Sequence, residues 1–117
     1  MRDIEHQTQC ACVRWFRYQY PNLAMLLYAI PNGGARDRVT GAKLKAEGVV
    51  AGVADLFLSV PRCGFHGMYI EMKAGKNTQT ESQKEFQRSV ESEGYLYKVI
   101  RSFDEFMQEV EDYLRNV

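Results

Sequence analysis

Two acidic residues and a lysine occur on neighbouring segments that have the composition of β-strands. Asp55 lies in one apolar run, and Glu71 and Lys73 lie in the next. Because successive side chains of a strand alternate between its two faces, Glu71 and Lys73 share one face. If the intervening turn is centred near Gly64, antiparallel pairing places Asp55 opposite residues 71–73. The three side chains are then expected to converge at one end of a hairpin.

Converging carboxylates require a nearby positive charge. Two carboxylates about 4 Å apart repel by roughly 4 kcal/mol at an effective dielectric constant near 20. Lys73 can neutralise one of them, but Asp55 and Glu71 also provide the oxygen ligands that Mg²⁺ or Mn²⁺ prefers. The backbone carbonyl of Met72, between Glu71 and Lys73, is a candidate further ligand. A hydrated divalent ion beside a lysine is suited to phosphodiester hydrolysis, because the ion activates water and the lysine offsets developing charge.

A plainer interpretation of the same residues is a solvated strand face. A Glu-x-Lys pair on a strand often forms a weak ion pair of no catalytic importance. A register error of one residue would turn Asp55 to the opposite face. The metal site is favoured over this alternative by three features together: the aspartate at the far end of the hairpin, its apolar neighbours and a basic segment upstream.

That basic segment is a candidate nucleic-acid contact. Residues 36–45 contain four cations and one acid, Asp37, although the formal net charge of the chain is +0. Arginine and lysine bind phosphates with salt-sensitive affinity that does not depend on base sequence. The candidate contacts are Asn32, Arg36, Arg38, Lys43 and Lys45. A solvated basic helix is the alternative interpretation.

Helices and strands alternate along the chain around these residues. Helical spacing of apolar residues predicts a first helix from Ile4 to Gln19. Two capping-box patterns, Thr80-x-x-Gln83 and Ser102-x-x-Glu105, predict the starts of the last two helices. A further helix is predicted at residues 38–47, and strands are predicted at residues 23–30, 53–60, 68–73 and 95–100. The order α-β-α-β-β-α-β-α is typical of an α/β domain whose mixed central sheet is flanked by helices.

Length and composition predict one domain spanning residues 1–117. The chain has 45% hydrophobic and 26% charged residues, which is typical of a compact globular protein. No apolar run approaches the roughly 20 residues of a membrane span, and the N-terminal residues lack a signal-peptide pattern, so we expect a cytoplasmic protein without a membrane partner. The cysteines have no metal-binding spacing, and Cys10, Cys12 and Cys63 are predicted to be small buried apolar residues.

Several motifs follow one another along the chain in a recognisable order. They are Ile30-Pro31-Asn32-Gly33-Gly34, Leu44-Lys45-Ala46-Glu47-Gly48, Ala51-Gly52-Val53-Ala54-Asp55-Leu56, His66-Gly67 and Ile70-Glu71-Met72-Lys73. Together they resemble the VRR-NUC domain, a branch of the PD-(D/E)XK nuclease superfamily, over nearly the whole chain. The resemblance implies a restriction-endonuclease-like fold and a small stand-alone nuclease of the kind found in phages and bacteria.

The resemblance also implies roles for individual residues. Asp55 and Glu71 are expected to bind Mg²⁺ or Mn²⁺, and Lys73 is expected to be the catalytic lysine, with no organic cofactor. Glu5 aligns with an acidic residue that often completes the metal site, although it could instead be a first-turn carboxylate favoured by the helix dipole. Gln83 matches a helix glutamine near the active site of the family. It is also the N3 residue of a predicted capping box, so both roles stay open.

The activity implied by the resemblance is that of an endodeoxyribonuclease. Stand-alone members resemble Holliday-junction resolvases, so the expected substrate is branched DNA and the expected assembly is a homodimer. A flap-type or restriction-like nuclease, or a non-catalytic DNA-binding module of the same fold, are the alternatives. Two departures from the family pattern leave the expected ligands unchanged: Ala54 replaces the proline of the superfamily name, and Val50 replaces a frequent arginine.

Overall fold

The computed structural model describes residues 2–31 and 38–115 of the chain. In those residues it contains four α-helices, one 3₁₀ helix and four β-strands. The helices are α1 (Arg2–Gln19), the 3₁₀ helix (Pro21–Leu26), α2 (Arg38–Ala46), α3 (Glu81–Ser92) and α4 (Phe103–Arg115), and the strands are β1 (Leu27–Ala29), β2 (Leu56–Leu58), β3 (Met68–Met72) and β4 (Leu96–Ile100). The predicted order of helices and strands is therefore confirmed, with one added 3₁₀ helix.

The four strands form one mixed sheet in the order β1-β2-β3-β4. The pairs β1–β2 and β2–β3 are antiparallel, whereas β3 and β4 are parallel. A parallel pair needs a crossover connection, and α3 provides it. The predicted α/β fold with a mixed sheet and flanking helices is confirmed.

Helices cover both faces of the sheet. On one face, apolar side chains of β2 and β3 join those of α1 and α4 in the hydrophobic core; its members include Cys12, Phe16, Leu56, Leu58, Met68, Ile70, Met72, Phe106, Val110 and Tyr113. On the other face, Phe86 of α3 packs its ring edge-to-face against Tyr69 and also contacts Tyr97. The alternation predicted for β3 is thus observed, with Met68, Ile70 and Met72 buried in the core.

The apolar run at residues 23–30 was predicted to be one strand, but it forms a strand only at Leu27–Ala29. Pro21 begins a 3₁₀ helix that extends to Leu26, and β1 has three residues. The side chain of Met25 is 89% exposed, whereas Leu27 is 2% exposed and belongs to the core, so the run is buried only in part. A short apolar run does not distinguish helix from strand, and the proline favours a helical start because its φ angle is already suitable.

One of the two predicted capping boxes is complete. The Thr80 hydroxyl accepts the Gln83 N–H at 3.2 Å, and the Gln83 side chain accepts the Thr80 N–H at 2.8 Å. At α4, Ser102 accepts the Glu105 N–H at 3.1 Å. The Glu105 carboxylate, however, accepts the N–H of Arg101 instead of that of Ser102, so this box is half formed.

The prediction of three buried cysteines is correct for Cys12 and wrong for Cys10 and Cys63, which are exposed. Two residues apart on a helix, Cys10 and Cys12 must point to nearly opposite sides of α1. Cys63 lies in the β2–β3 connection with φ of 55°, a turn position at the surface.

Among the described helices, none combines the length and the hydropathy that a bilayer span requires.

Candidate active site

The register of β2 and β3 brings Asp55 beside Glu71. Leu56 pairs with Ile70 in this antiparallel ladder, and Asp55 immediately precedes Leu56. The Asp55 N–H donates to the Ile70 carbonyl at 3.1 Å, and the Asp55 carboxylate accepts the Met72 N–H at 2.7 Å. Main chain and side chain of Asp55 are therefore both attached to β3, as the predicted hairpin requires.

Glu71 is a buried carboxylate whose two oxygens have different surroundings. The residue is 1% exposed. Its Oε1 accepts a hydrogen bond from the Tyr97 hydroxyl. Its Oε2 lies 3.2 Å from Nζ of Lys73, but no group in the described residues donates a hydrogen bond to it. An ionised carboxylate is costly to bury unless it is paired, so this oxygen is suited to a further cation.

Lys73 completes the convergence of charges predicted from the hairpin. Its side chain is 12% exposed, so most of its length is covered while some access from solvent remains. Its N–H donates to the carbonyl of Ile100, which fixes the end of β3 against β4. The arrangement contains two carboxylates for one ammonium group, which leaves a local excess of negative charge.

The electrostatics of Asp55 reflect this excess. Burial raises the pKa of the Asp55 carboxyl above its usual value, and the hydrogen bond from the Met72 N–H opposes that effect. The neighbouring carboxylates of Glu71 and Glu5 raise this pKa further, whereas Lys73 lowers it. The ionised form of Asp55 is thus disfavoured in the folded chain, and a bound cation would relieve the cost.

Glu5 reaches the same region from α1. Its carboxylate accepts the N–H of Ala74 at 3.1 Å, just beyond the end of β3. Within residues 2–31 and 38–115, however, no three His, Cys, Asp or Glu side chains form a group that could hold a metal ion. Glu5 is therefore a neighbour of the Asp55–Glu71 pair, and its role as a third ligand stays a prediction.

The chemistry of Asp55 and Glu71 fits a divalent ion that keeps part of its hydration shell. Mg²⁺ is commonly bound by one or two carboxylates and retains several waters, so two protein ligands can be sufficient. Oε2 of Glu71, which accepts no hydrogen bond from the described residues, and the raised pKa of Asp55 are the observations that favour such an ion. The Met72 carbonyl stays a candidate third ligand.

Tyr97 and Gln79 belong to the site although the sequence analysis did not single them out. Tyr97 pairs with Tyr69 across the parallel β3–β4 ladder, so its side chain lies on the same face as Glu71. Burial, together with its hydrogen bond to Glu71, raises the pKa of Tyr97, so the phenol is protonated at neutral pH. Gln79 donates to the Tyr97 hydroxyl at 3.5 Å and to Gln87 at 2.9 Å.

Gln83 has a structural role in this geometry. Its amide oxygen accepts the Thr80 N–H in the capping box of α3, and no hydrogen bond in the described residues joins it to Asp55, Glu71 or Lys73. Its catalytic role stays a prediction. Gly52, in the loop before Asp55, lies close to the first turn of α3, and its φ angle is +89°.

The basic segment is described in part. Lys43 and Lys45 lie exposed in the last turn of α2. Asn32, Arg36 and the side chain of Arg38 lie outside the described residues. Contact of this segment with nucleic acid therefore stays a prediction.

The fold is similar to that of a solved structure described as a VRR_NUC domain protein. The two chains are 28% identical, and the match covers 96% of this chain and 88% of that chain with a TM-score of 0.83. No family model matches the sequence, and no curated protein matches it. The structure thus has the nuclease-type fold of a VRR_NUC domain protein, which agrees with the resemblance of its motifs to the VRR-NUC domain.

Proposed function

We propose that the protein is a divalent-metal-dependent endodeoxyribonuclease that hydrolyses phosphodiester bonds at Asp55, Glu71 and Lys73. The observation that supports this most directly is the convergence of those side chains at the end of the β2–β3 hairpin. The nuclease-type fold of the structural neighbour adds to it. A purely structural ion pair would need one carboxylate for one lysine, whereas this arrangement has two.

Asp55 and Glu71 would hold the ion, which is Mg²⁺ or Mn²⁺ in this proposal. Such an ion, when bound, lowers the pKa of water and stabilises negative charge on a phosphate. Lys73 would orient the attacking water and offset charge that develops on the scissile phosphate. The Lys73 ammonium group is held near the carboxylates by its ion pair with Glu71, at 3.2 Å. The Lys73 side chain is not fully buried, so a substrate phosphate could still approach it.

Metal-dependent cleavage by a Lys73→Met variant tests the assignment. Removing one preorganised charged group typically lowers kcat by about 10² to 10³-fold, so we expect a loss of this size with unchanged DNA binding. Lys98→Met is a matched control, because Lys98 is also a strand lysine, paired with Glu109 at 3.4 Å on α4. Equal cleavage by wild type and Lys73→Met would contradict the assignment. Failure of wild type to cleave any DNA with Mg²⁺ or Mn²⁺ would favour a non-catalytic DNA-binding module.

The proposed substrate is branched DNA of the Holliday-junction type, cut by a homodimer. A two-fold symmetric dimer would present two equivalent active sites to the symmetry-related strands of a four-way junction. A panel of four-way, flap and linear DNAs tests the substrate class, and sedimentation with and without junction DNA tests the assembly. Preferential cleavage of flap or linear DNA would replace the proposed substrate but leave the assigned chemistry intact.

A further inference from the structure

The Tyr97 hydroxyl makes a buried hydrogen bond to the proposed metal ligand Glu71. Tyr97 is 4% exposed, and its ring contacts Phe86 of α3. The parallel β3–β4 register fixes the position of Tyr97 along β4 relative to Glu71 on β3. Both the ring and the backbone of Tyr97 are therefore held in place independently of the hydrogen bond.

The direction of this hydrogen bond follows from its neighbours. The side-chain N–H of Gln79 approaches the Tyr97 oxygen at 3.5 Å, so that oxygen acts as an acceptor on one side. The hydroxyl hydrogen is then available to point at Oε1 of Glu71, which has no hydrogen of its own when ionised. Gln79 is itself fixed by Gln87 of α3, which in turn donates to Glu91 at 3.2 Å.

The result is an asymmetric carboxylate. Oε1 of Glu71 is engaged by Tyr97, whereas Oε2 is buried, lies next to Lys73 and accepts no hydrogen bond from the described residues. A carboxylate that is free to rotate would offer either oxygen to a cation. A carboxylate bonded through one oxygen offers the other in a fixed orientation.

We propose that Tyr97, oriented by Gln79, is a positioning residue that holds Glu71 so that Oε2 is the oxygen presented to the divalent cation. This rests on the proposed function, because it assigns Glu71 as a ligand. Groups that hydrogen-bond a ligating carboxylate fix its orientation, and their loss commonly weakens metal binding about 10- to 100-fold. Tyr97 does not contact the scissile phosphate in this role.

Isothermal titration of Mn²⁺ into the full chain tests the proposal with Tyr97→Phe. The variant keeps the ring and its contact with Phe86 and removes the hydrogen bond to Glu71. Tyr113→Phe is the matched control, because Tyr113 is 3% exposed and its hydroxyl donates to the carbonyl of Val60 at 2.6 Å. Both variants lose one buried tyrosine hydroxyl, but Val60 is not part of the site.

We expect Mn²⁺ to bind Tyr97→Phe about 10-fold more weakly than wild type, and Tyr113→Phe to bind it as wild type does. Cleavage by Tyr97→Phe should approach the wild-type rate when Mn²⁺ is raised to saturation, since the ligands and Lys73 are retained. Gln79→Leu, which alters no core side chain, should weaken Mn²⁺ binding in the same direction by a smaller factor.

Three outcomes would overturn the proposal in different ways. Wild-type Mn²⁺ affinity in Tyr97→Phe would refute the positioning role and leave the proposed function standing. Equal weakening in Tyr97→Phe and Tyr113→Phe would assign the effect to stability alone. Mn²⁺ binding by wild type that is no tighter than by Asp55→Asn would refute the metal site itself, and the proposed function with it.

Discussion

At the scale of single residues, the site is defined by two carboxylates that differ in how their charge is compensated. Glu71 has a tyrosine hydroxyl on one oxygen and an ammonium group near the other. Asp55 has a single backbone N–H, from Met72, and faces two other carboxylates. Charge that costs stability in the folded chain is typical of functional sites, so this pair of carboxylates supports the proposed function.

The raised pKa of Asp55 leads to a prediction about stability. Below the ordinary aspartate pKa of 3.8 the carboxyl is protonated in both folded and unfolded chains, so it has no net effect. As pH rises from there through the higher folded-state pKa, the unfolded chain loses its proton first and the fold is destabilised. Asp55→Asn, which can still accept the Met72 N–H, should therefore raise Tm at about pH 7 and have little effect near pH 4.

Calorimetry in EDTA at both pH values measures this effect. An increase of about 1 kcal/mol in the free energy of unfolding would raise the Tm of a domain of this size by roughly 4 °C. Asp104→Asn is the control, because Asp104 is exposed in the first turn of α4, where a carboxylate is favourable. Its Tm should be unchanged or slightly lower. A lower Tm for Asp55→Asn at neutral pH would show that the carboxylate stabilises the fold.

At the scale of elements, the loop before Asp55 packs closely against the first turn of α3. A Cβ atom placed on Gly52 would lie 2.4 Å from the carbonyl oxygen of Ser82, which is a backbone atom that cannot move away cheaply. The φ angle of Gly52 is also in the left-handed region, at +89°. The capping box of α3 and the position of Asp55 are thus connected through one close backbone contact.

Gly52→Ala should destabilise the domain more than Gly48→Ala. Gly48 has φ of +108°, but a Cβ atom placed on it would meet nothing within 4 Å, so it isolates the conformational cost, which is about 1–2 kcal/mol. Gly52→Ala has the same conformational cost plus a steric clash, worth about 1–3 kcal/mol more. Urea unfolding of both variants measures the difference. Equal losses would show that the loop moves away from Ser82 without strain.

At the scale of the whole molecule, charge is distributed unevenly although its sum is zero. The last helix, α4, has five acidic residues and one arginine, whereas the described part of α2 has Lys43 and Lys45 exposed and no acid. A uniformly neutral surface would give no preferred approach for DNA. This distribution favours approach of a polyanion from the α2 side and disfavours it at α4.

Salt dependence of DNA binding tests this interpretation. Each phosphate contact contributes about 0.9 to the slope of log K against log salt concentration, so Lys43→Ala and Lys45→Ala together should reduce the slope by up to about 1.8. Arg115→Ala removes one cation from α4, where it pairs with Asp112, and should leave the slope unchanged. Fluorescence anisotropy with junction DNA in EDTA provides the measurement. An unchanged slope in the double variant would support the solvated-helix alternative.

The sequence by itself determined those parts of the protein that depend on short-range rules. Strand alternation and a short connection predicted that Asp55 would meet Glu71 and Lys73, and the pattern Thr80-x-x-Gln83 predicted the cap of α3. The same rules could not distinguish a 3₁₀ helix from a strand at residues 21–26, because a short apolar run suits both and its burial depends on what covers it.

Tertiary structure alone decided the surroundings of the carboxylates. Tyr97 meets Glu71 because β4 returns parallel to β3 after the crossover through α3, and Glu5 meets Ala74 because α1 docks against the end of β3. These contacts join residues that are 26 and 69 positions apart in the chain. Local sequence propensities do not predict contacts between residues so far apart in the chain. These contacts depend on how the helices and the sheet bury their apolar faces together.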